Sequence, residues 1–300
     1  MTLVSEVIEE ANDLLLGGAA EQATVITNEL IPADVDLFPS PWIEEVVPGD
    51  LLQLENELVY VIGSTPVIPA IPTDIPATYT VIRGYRSTAA SHGFNTTAVI
   101  RPAVPNVVWL RHLNNTLRSL SSPQKGLFRV EPIELTATSR IGYDLTGMGD
   151  FDAIIEVYAK NPGGMGDFVL LPRSAWDEQR DMNTTDFASG SALRIIRGGY
   201  PGQPVRVLAK QPFNLVANFT DIVESVTGIP STAIDLLALG MVIRAVEGDE
   251  IARNSLDASA GRRSSDVPPG AISASAAGLR QRYQERQVEE RSRLIRKYGL

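Results

Sequence analysis

Residues 230–253 read PSTAIDLLALGMVIRAVEGDEIAR, the longest segment whose pattern admits only one secondary structure. Between Ala233 and Val246 only Asp235, Gly240 and Arg244 interrupt the apolar residues. A helix that is greasy on almost every face has to be covered by neighbours. Thr232, three residues ahead of Asp235, predicts a capping-box-like start with an acid at the positive helix end, and Pro230 fixes the entry. The segment is too short, and its charges too central, to span a bilayer.

Two further helices are expected to supply the cover. Residues 271–298 are rich in helix formers and charges, follow Pro268-Pro269-Gly270, and place Glu289 four residues before Arg293. Their apolar stripe is thin, with Leu279, Tyr283, Leu294 and Tyr298 on one side. Residues 106–120 carry Val107, Leu110, Leu113, Leu117 and Leu120 at helical spacing, with Asn106 as a candidate cap after Pro105.

The 300-residue chain is long enough for two or three parts with real cores. It has no cysteine, which excludes disulfides and thiolate metal sites. The N-terminus carries acids instead of a basic segment followed by an apolar one, so no signal peptide and no membrane association are expected. The formal charge of −10 is unevenly spread: residues 1–82 hold fourteen acids and no lysine or arginine, leaving +4 on everything after them. A solvated acidic face explains this. So does a surface that meets a basic partner, or one along which a passing polyanion must not stick.

Taken in order, residues 3–16 predict a short amphipathic helix, with Val4, Val7, Ile8, Ala11, Leu14 and Leu15 on one side and Gly17-Gly18 as its stop. It must dock on its own subunit or on a neighbour. Residues 19–48 are acidic and broken by four prolines, and read as an extended arm. From Gly49 the period changes to that of strands. A hairpin turning near Glu55-Asn56, a strand at 79–82 and another at 97–100 predict a small unit of about four strands. The insert VIPAIPTDIPA at 67–77 reads as an exposed loop. After the 106–120 helix, short apolar runs at 128–138, 154–159, 168–171, 193–196 and 205–209 predict a compact antiparallel sandwich, with glycine-rich loops at Gly147–Gly149 and Gly163–Gly166. The fold class is α+β: a helical body with long C-terminal helices, a small N-terminal β unit and an inserted antiparallel β-sandwich-like domain. The expected divisions are 1–48 for the helix and acidic arm, 49–104 for the small β unit, 105–125 with 214–300 for the helical body, and 126–213 for the β domain.

No constellation in the sequence reads as an active site. His92 follows Ser91 in a loop with no obvious orienting acid, and His112 lies in a helix that also exposes Arg111; both read as structural or surface residues. Asp144, Asp150 and Asp152 surround a glycine-rich turn but lack calcium-loop order and a terminal glutamate. Trp42, Trp109 and Trp176 are scattered, which gives little support to a sugar platform or a base-stacking surface. No catalytic residue, cofactor or metal is expected, and the chain is read as a binding and assembly protein.

Two blocks carry a resemblance. The first is PGDLLQLENELVYVIG, 48–63, followed by YTVIRGYRSTAASHG, 79–93. The second is IDLLALGMVIRAVEGDEIAR followed by DVPPGAISASAAGLRQRYQERQVEERSRLIRKYGL. Together they resemble virion proteins of tailed double-stranded DNA bacteriophages, of the head-to-tail connector or neck adaptor kind. The family often shows Arg-Gly-x-x-Gly-Thr, and here Ser87 stands at the second glycine. The resemblance implies a structural, non-enzymatic protein of the virion neck or tail, made in the host cytoplasm. It implies a homo-oligomeric ring, commonly of about twelve copies, that binds the portal protein and further neck or tail proteins. DNA passes through such a ring without sequence-specific binding. The expected assembly residues are Leu279, Arg282, Tyr283, Arg286, Leu294, Arg296, Lys297 and Tyr298 near the C-terminus, with Val4, Val7 and Ile8 near the N-terminus. The competing expectation is a distal tail or fibre-associated protein whose β domain binds a host surface.

Overall fold

A computed structural model describes residues 1–17, 19, 21–40, 43, 45–66, 77–121, 126–136, 142–160, 167–197, 203–260 and 271–298. The proline-rich insert, Trp42 and the Gly163–Gly166 loop lie outside the described residues. The protein is α+β, built from antiparallel sheets and helices. It divides into two compact units, one of Met1–Thr116, Val216–Ile222 and Ile234–Tyr283, the other of Leu117–Leu215, Val223–Ala233 and Gln284–Leu300.

The first unit begins with α1 (Val4–Leu16), which ends on Gly17 at φ 63°. That left-handed conformation closes the helix at little cost only for glycine. Seven strands follow: β1 (Ala23–Ile26), β2 (Asp36–Leu37), β3 (Pro39–Ser40), β4 (Leu51–Leu54), β5 (Glu57–Thr65), β6 (Thr78–Ile82) and β7 (Thr96–Ile100). They form one sheet in the order β2-β6-β5-β4-β7-β1-β3. Its two outer strands are consecutive in the chain, with only Phe38 between them, so the sheet closes on itself as a barrel. Its core holds Ile26, Leu37, Leu52, Leu54, Val59, Val61, Tyr79 and Ile100. Residues 49–104 supply four strands, β4 to β7, as expected, and the stretch expected as an extended arm adds three more to the same sheet. Apolar alternation is the signal that finds strands, and these three are too short to show it.

The other helices of the first unit are α2 (Asn106–Leu120), whose last turn passes into the second unit, α4 (Asp235–Ala260) and the first half of α5 (Ala271–Tyr298). Between Leu236 and Ile243 every residue of α4 is buried. Cover comes from α1, which packs along it, as well as from α2. A Cβ on Gly240 would lie 2.4 Å from Thr116 Cγ2, so glycine here permits the close approach of the two helices. Arg244 bonds the Asn115 carbonyl at 3.1 Å and Thr116 Oγ1 at 3.3 Å, which explains how a cation is tolerated in an apolar run. The helix starts at Asp235, after a 3₁₀ turn at Ser231–Ala233, so Thr232 does not cap it. Asn106 is likewise a helical residue and no cap; its side-chain amide donates to the Glu55 carbonyl at 3.0 Å.

The second unit contains β8 (Arg129–Leu135), β9 (Tyr143–Asp144), β10 (Ala153–Lys160), β11 (Phe168–Leu171), β12 (Trp176–Arg180), β13 (Ser191–Ile195), β14 (Val205–Gln211) and α3 (Val223–Thr227). A four-stranded sheet, β11-β10-β14-β8, and a three-stranded one, β12-β13-β9, share a single core that includes Tyr143, Val157, Trp176, Leu193 and Val207. Strand β12 has the sequence WDEQR, too polar to be legible as a strand.

Candidate functional site

The most concentrated group of ionisable side chains lies in the first unit, where β5 enters the barrel. Glu57 is the first residue of β5 and its side chain is 0 % exposed. Arg83, just past β6, donates to both carboxylate oxygens at 2.7 Å through Nε and Nη2. The backbone N–H groups of Gly84 and Ala90 donate at 2.8 and 2.9 Å, and His92 Nε2 completes the set at 2.9 Å. Burial alone would raise this carboxyl, but the Arg83 guanidinium, the Ala90 N–H, His92 and the Gly84 N–H outweigh it and hold it at about 2. It is therefore ionised at neutral pH.

Arg83 reaches further, donating to the carbonyls of Ile31 at 3.0 Å and Ala90 at 2.6 Å. The backbones of Leu30 and His92 exchange two hydrogen bonds of 2.9 Å. One buried carboxylate thus holds the 83–92 loop, the 30–34 segment and the β4–β5 turn together. At the second glycine position of the 83–88 motif, the Ser87 hydroxyl accepts the Leu58 N–H at 3.0 Å. The left-handed residues of this loop are Gly84 at φ 63° and Arg86 at φ 56°, not Ser87.

The expectation that His92 lacks an orienting acid is overturned. Its ring, 1 % exposed, lies between Glu57 and Glu55, whose Oε2 is 3.3 Å from Nδ1. Thirty-five residues separate the His92–Glu57 pair, and no local pattern joins them. The one available signal was an acid at the mouth of the apolar run LVYVI. With both ring nitrogens against carboxylates and all of Glu57's donors from the protein itself, the cluster works as a clamp.

Two of the other three singled-out acids are also tied down, and Asp150 is exposed. Asp144 accepts from Thr146 N–H and Oγ, Ser189 Oγ and the Ala188 N–H at 2.7 to 3.1 Å. Burial opposes its charge, but the Ser189 and Thr146 hydroxyls and N–H groups outweigh it and lower the carboxyl to about 2. Asp152 pairs with Lys210 at 3.3 Å. Among the described residues no group of three or more His, Asp or Glu side chains gathers where a metal could sit. His112 stands edge-on to Trp109, with ring centres 6.0 Å apart.

The expected assembly residues fall into two sets. Val4, Val7 and Ile8 are buried on α1, and Tyr283 and Leu294 are buried on α5, so this surface is used within the chain. Burial pushes the Tyr283 hydroxyl up to about 12, against the opposing field of Arg244. Leu279 and Tyr298 are half-buried, the latter with its ring 6.5 Å from that of Phe128. Arg286 donates to the Thr232 carbonyl at 2.8 Å. Arg282, Arg296 and Lys297 are exposed. Arg293 pairs with Glu290 at 2.8 Å instead of Glu289, whose carboxylate meets Arg286, so the expected i,i+4 pair gives way to i,i+3 pairs. The sequence did not mark the opposite face of α5, where Val288 and Ile295, one heptad apart, are 63 % and 37 % exposed. Among the described residues no helix is long and apolar enough to cross a membrane. No protein-family model matches the chain, and no curated protein matches it.

Proposed function

We propose that the chain is a structural virion protein of a tailed phage that assembles as a ring joining the portal to the tail and surrounding the DNA exit channel. One observation carries this reading: α5 leaves apolar Val288 and Ile295 in solvent with exposed Arg291 between them, and Arg282, Arg296 and Lys297 exposed elsewhere on the helix, in a chain whose first 82 residues carry fourteen acids and no base. A cationic, apolar helix face and an acidic surface on the same polypeptide suit repeated head-to-tail association of copies. The acidic surface also repels a passing DNA backbone, as a conduit requires. The resemblance of the 48–93 and 234–300 blocks to neck adaptors supports the same role. In this reading the helices form the ring-building body and the two β parts are attached to it.

The test is the mass of the purified protein, alone and mixed with the portal of the same virus, by native mass spectrometry. A stoichiometric ring on the portal is expected, with lower occupancy after reversing Arg282, Arg296 and Lys297 to glutamate. A protein that stays monomeric and indifferent to the portal overturns the reading.

A second reading has one specific observation in its favour. On the outer face of the four-stranded sheet, Tyr158, Phe168, Arg206 and Asp167 help to line a groove of about 690 Å³. Aromatic faces beside charged hydrogen-bonding groups suit a host-surface glycan. Glycan binding by the intact protein that is lost in Tyr158→Ala would move the function to this domain.

A further inference from the structure

Two grooves on the barrel, of about 420 and 540 Å³, share one lining residue, Glu55. Its side chain is 66 % exposed, and its backbone is held at φ 52°, a left-handed conformation that is strained for a non-glycine residue. That geometry is fixed from three sides. The Asn106 amide bonds the Glu55 carbonyl at 3.0 Å, the Asn106 N–H bonds Gln53 at 2.8 Å, and His92 lies against the carboxylate. Beside it, in the loop after His92, Phe94 is 68 % exposed. Asn95 follows at φ 63°, and Thr96 Oγ closes the loop on the Gly93 carbonyl at 2.8 Å. A large aromatic ring in solvent, an acid beside it and a rigid support are the makings of an interface anchor.

On α5, Gln284, Val288, Arg291 and Ile295 follow one another at i, i+4, i+7 and i+11, and all four are exposed. Such a stripe presents two apolar side chains with a guanidinium between them along one helix face. Its charge is the complement of the barrel's: residues 271–300 hold seven lysines and arginines against three acids, whereas residues 23–100 hold nine acids against two arginines.

We propose that the Phe94–Glu55 face of the barrel is the docking site for the Val288–Ile295 stripe of α5 from a second copy of this chain. The proposal rests on the ring reading and names the contact that builds it. Val288 and Ile295 pack against Phe94, and Arg291 meets Glu55. Because donor and acceptor faces differ, every open assembly keeps one of each unsatisfied at its ends, and association continues until the ring closes.

The test uses full-length Phe94→Asp and Val288→Asp, both at exposed positions outside either core. Each variant alone is expected to lose self-association by about 30-fold or more, because a charge replaces the central apolar anchor. Mixed in equal amounts, the two variants retain one intact pair of faces and are expected to form a 1:1 dimer that grows no further. Circular dichroism confirms that each is folded. The chain has no cysteine of its own, so Phe94→Cys with Val288→Cys gives a second readout: oxidation is expected to yield a ladder of covalent multimers. Variants that assemble like the parent overturn the docking site and leave the ring standing. Variants that keep the ring but lose the portal overturn it too, and assign the face to a different partner. An oxidised double-cysteine protein that remains monomeric overturns the contact between copies. A parent that never self-associates, with or without portal, overturns both readings.

Discussion

Replacing Glu57 by glutamine tests whether the buried clamp holds the barrel together. The change keeps size and shape but removes the charge and turns an amide N–H₂ toward donors. Its cost follows from the folded carboxyl at about 2 against an ordinary 4.5. At about 1.4 kcal/mol per pH unit, the difference is about 3 kcal/mol at pH 7. Stranding the Arg83 guanidinium, 4 % exposed, gives a similar figure, since breaking a buried pair costs about 3–5 kcal/mol. Because the folded value is depressed, this stability is complete above the unfolded value near 4.5 and is lost as the pH falls toward 2. Urea unfolding followed by circular dichroism, for parent and variant at pH 7 and pH 3, measures both aspects. The gap is expected to be about 3 kcal/mol at pH 7 and to narrow by about 2 kcal/mol at pH 3. A variant within about 0.5 kcal/mol of the parent at pH 7 refutes the argument, as does a gap that ignores pH.

Three further perturbations address the helices. Gly240→Ala drives a Cβ to 2.4 Å from Thr116 Cγ2 and is expected to destabilise the fold by about 1–3 kcal/mol of overpacking, measured by urea unfolding, despite alanine's better helix propensity; Thr116→Ala is expected to restore part of it. Asn12→Ala removes the acceptor 2.7 Å from Trp109 Nε1, leaves a buried N–H unpaired, and is expected to cost about 1–3 kcal/mol with a shift in tryptophan emission; an unchanged spectrum and stability contradict the contact. Glu290→Gln weakens the acceptor of Thr232 Oγ at 2.9 Å and Arg293 at 2.8 Å, and faster amide exchange in the second half of α5 is the expected sign.

Local pattern made the helices legible. The apolar run at 233–246 and the spacing from Val107 to Leu120 each demanded a helix, and α2 has the bounds expected from sequence. The hairpin at Glu55-Asn56 and the β10, β11, β13 and β14 segments were legible through apolar runs between turn residues. Pairings between distant residues were not. Strands β2 and β3 have two residues each and draw their stability from β6 and β1 rather than from their own sequence. The clamp was hidden for the same reason, since Glu57, Arg83 and His92 meet only after the barrel has closed. Side-chain competition decided the caps: Asn106 and Thr232 found better partners in the Glu55 carbonyl and the Glu290 carboxylate than in the helix ends beside them.

Closure of the barrel through Phe38 also sets an order of events during synthesis. Strand β1 pairs with β7, Ala23 opposite Val99, so the first strand made must wait for the last before its backbone is paired on that side. The ribosome delivers about 5–20 residues each second, which leaves this segment without that sheet partner for about 4–15 seconds. Five acids precede β1, and nine more, Glu29 to Asp74, emerge during that interval against only two bases, Arg83 and Arg86. So acidic a nascent chain repels its siblings on the same messenger and the RNA of the ribosome surface alike, so the acidity that suits the finished protein also protects the unfinished one from premature association.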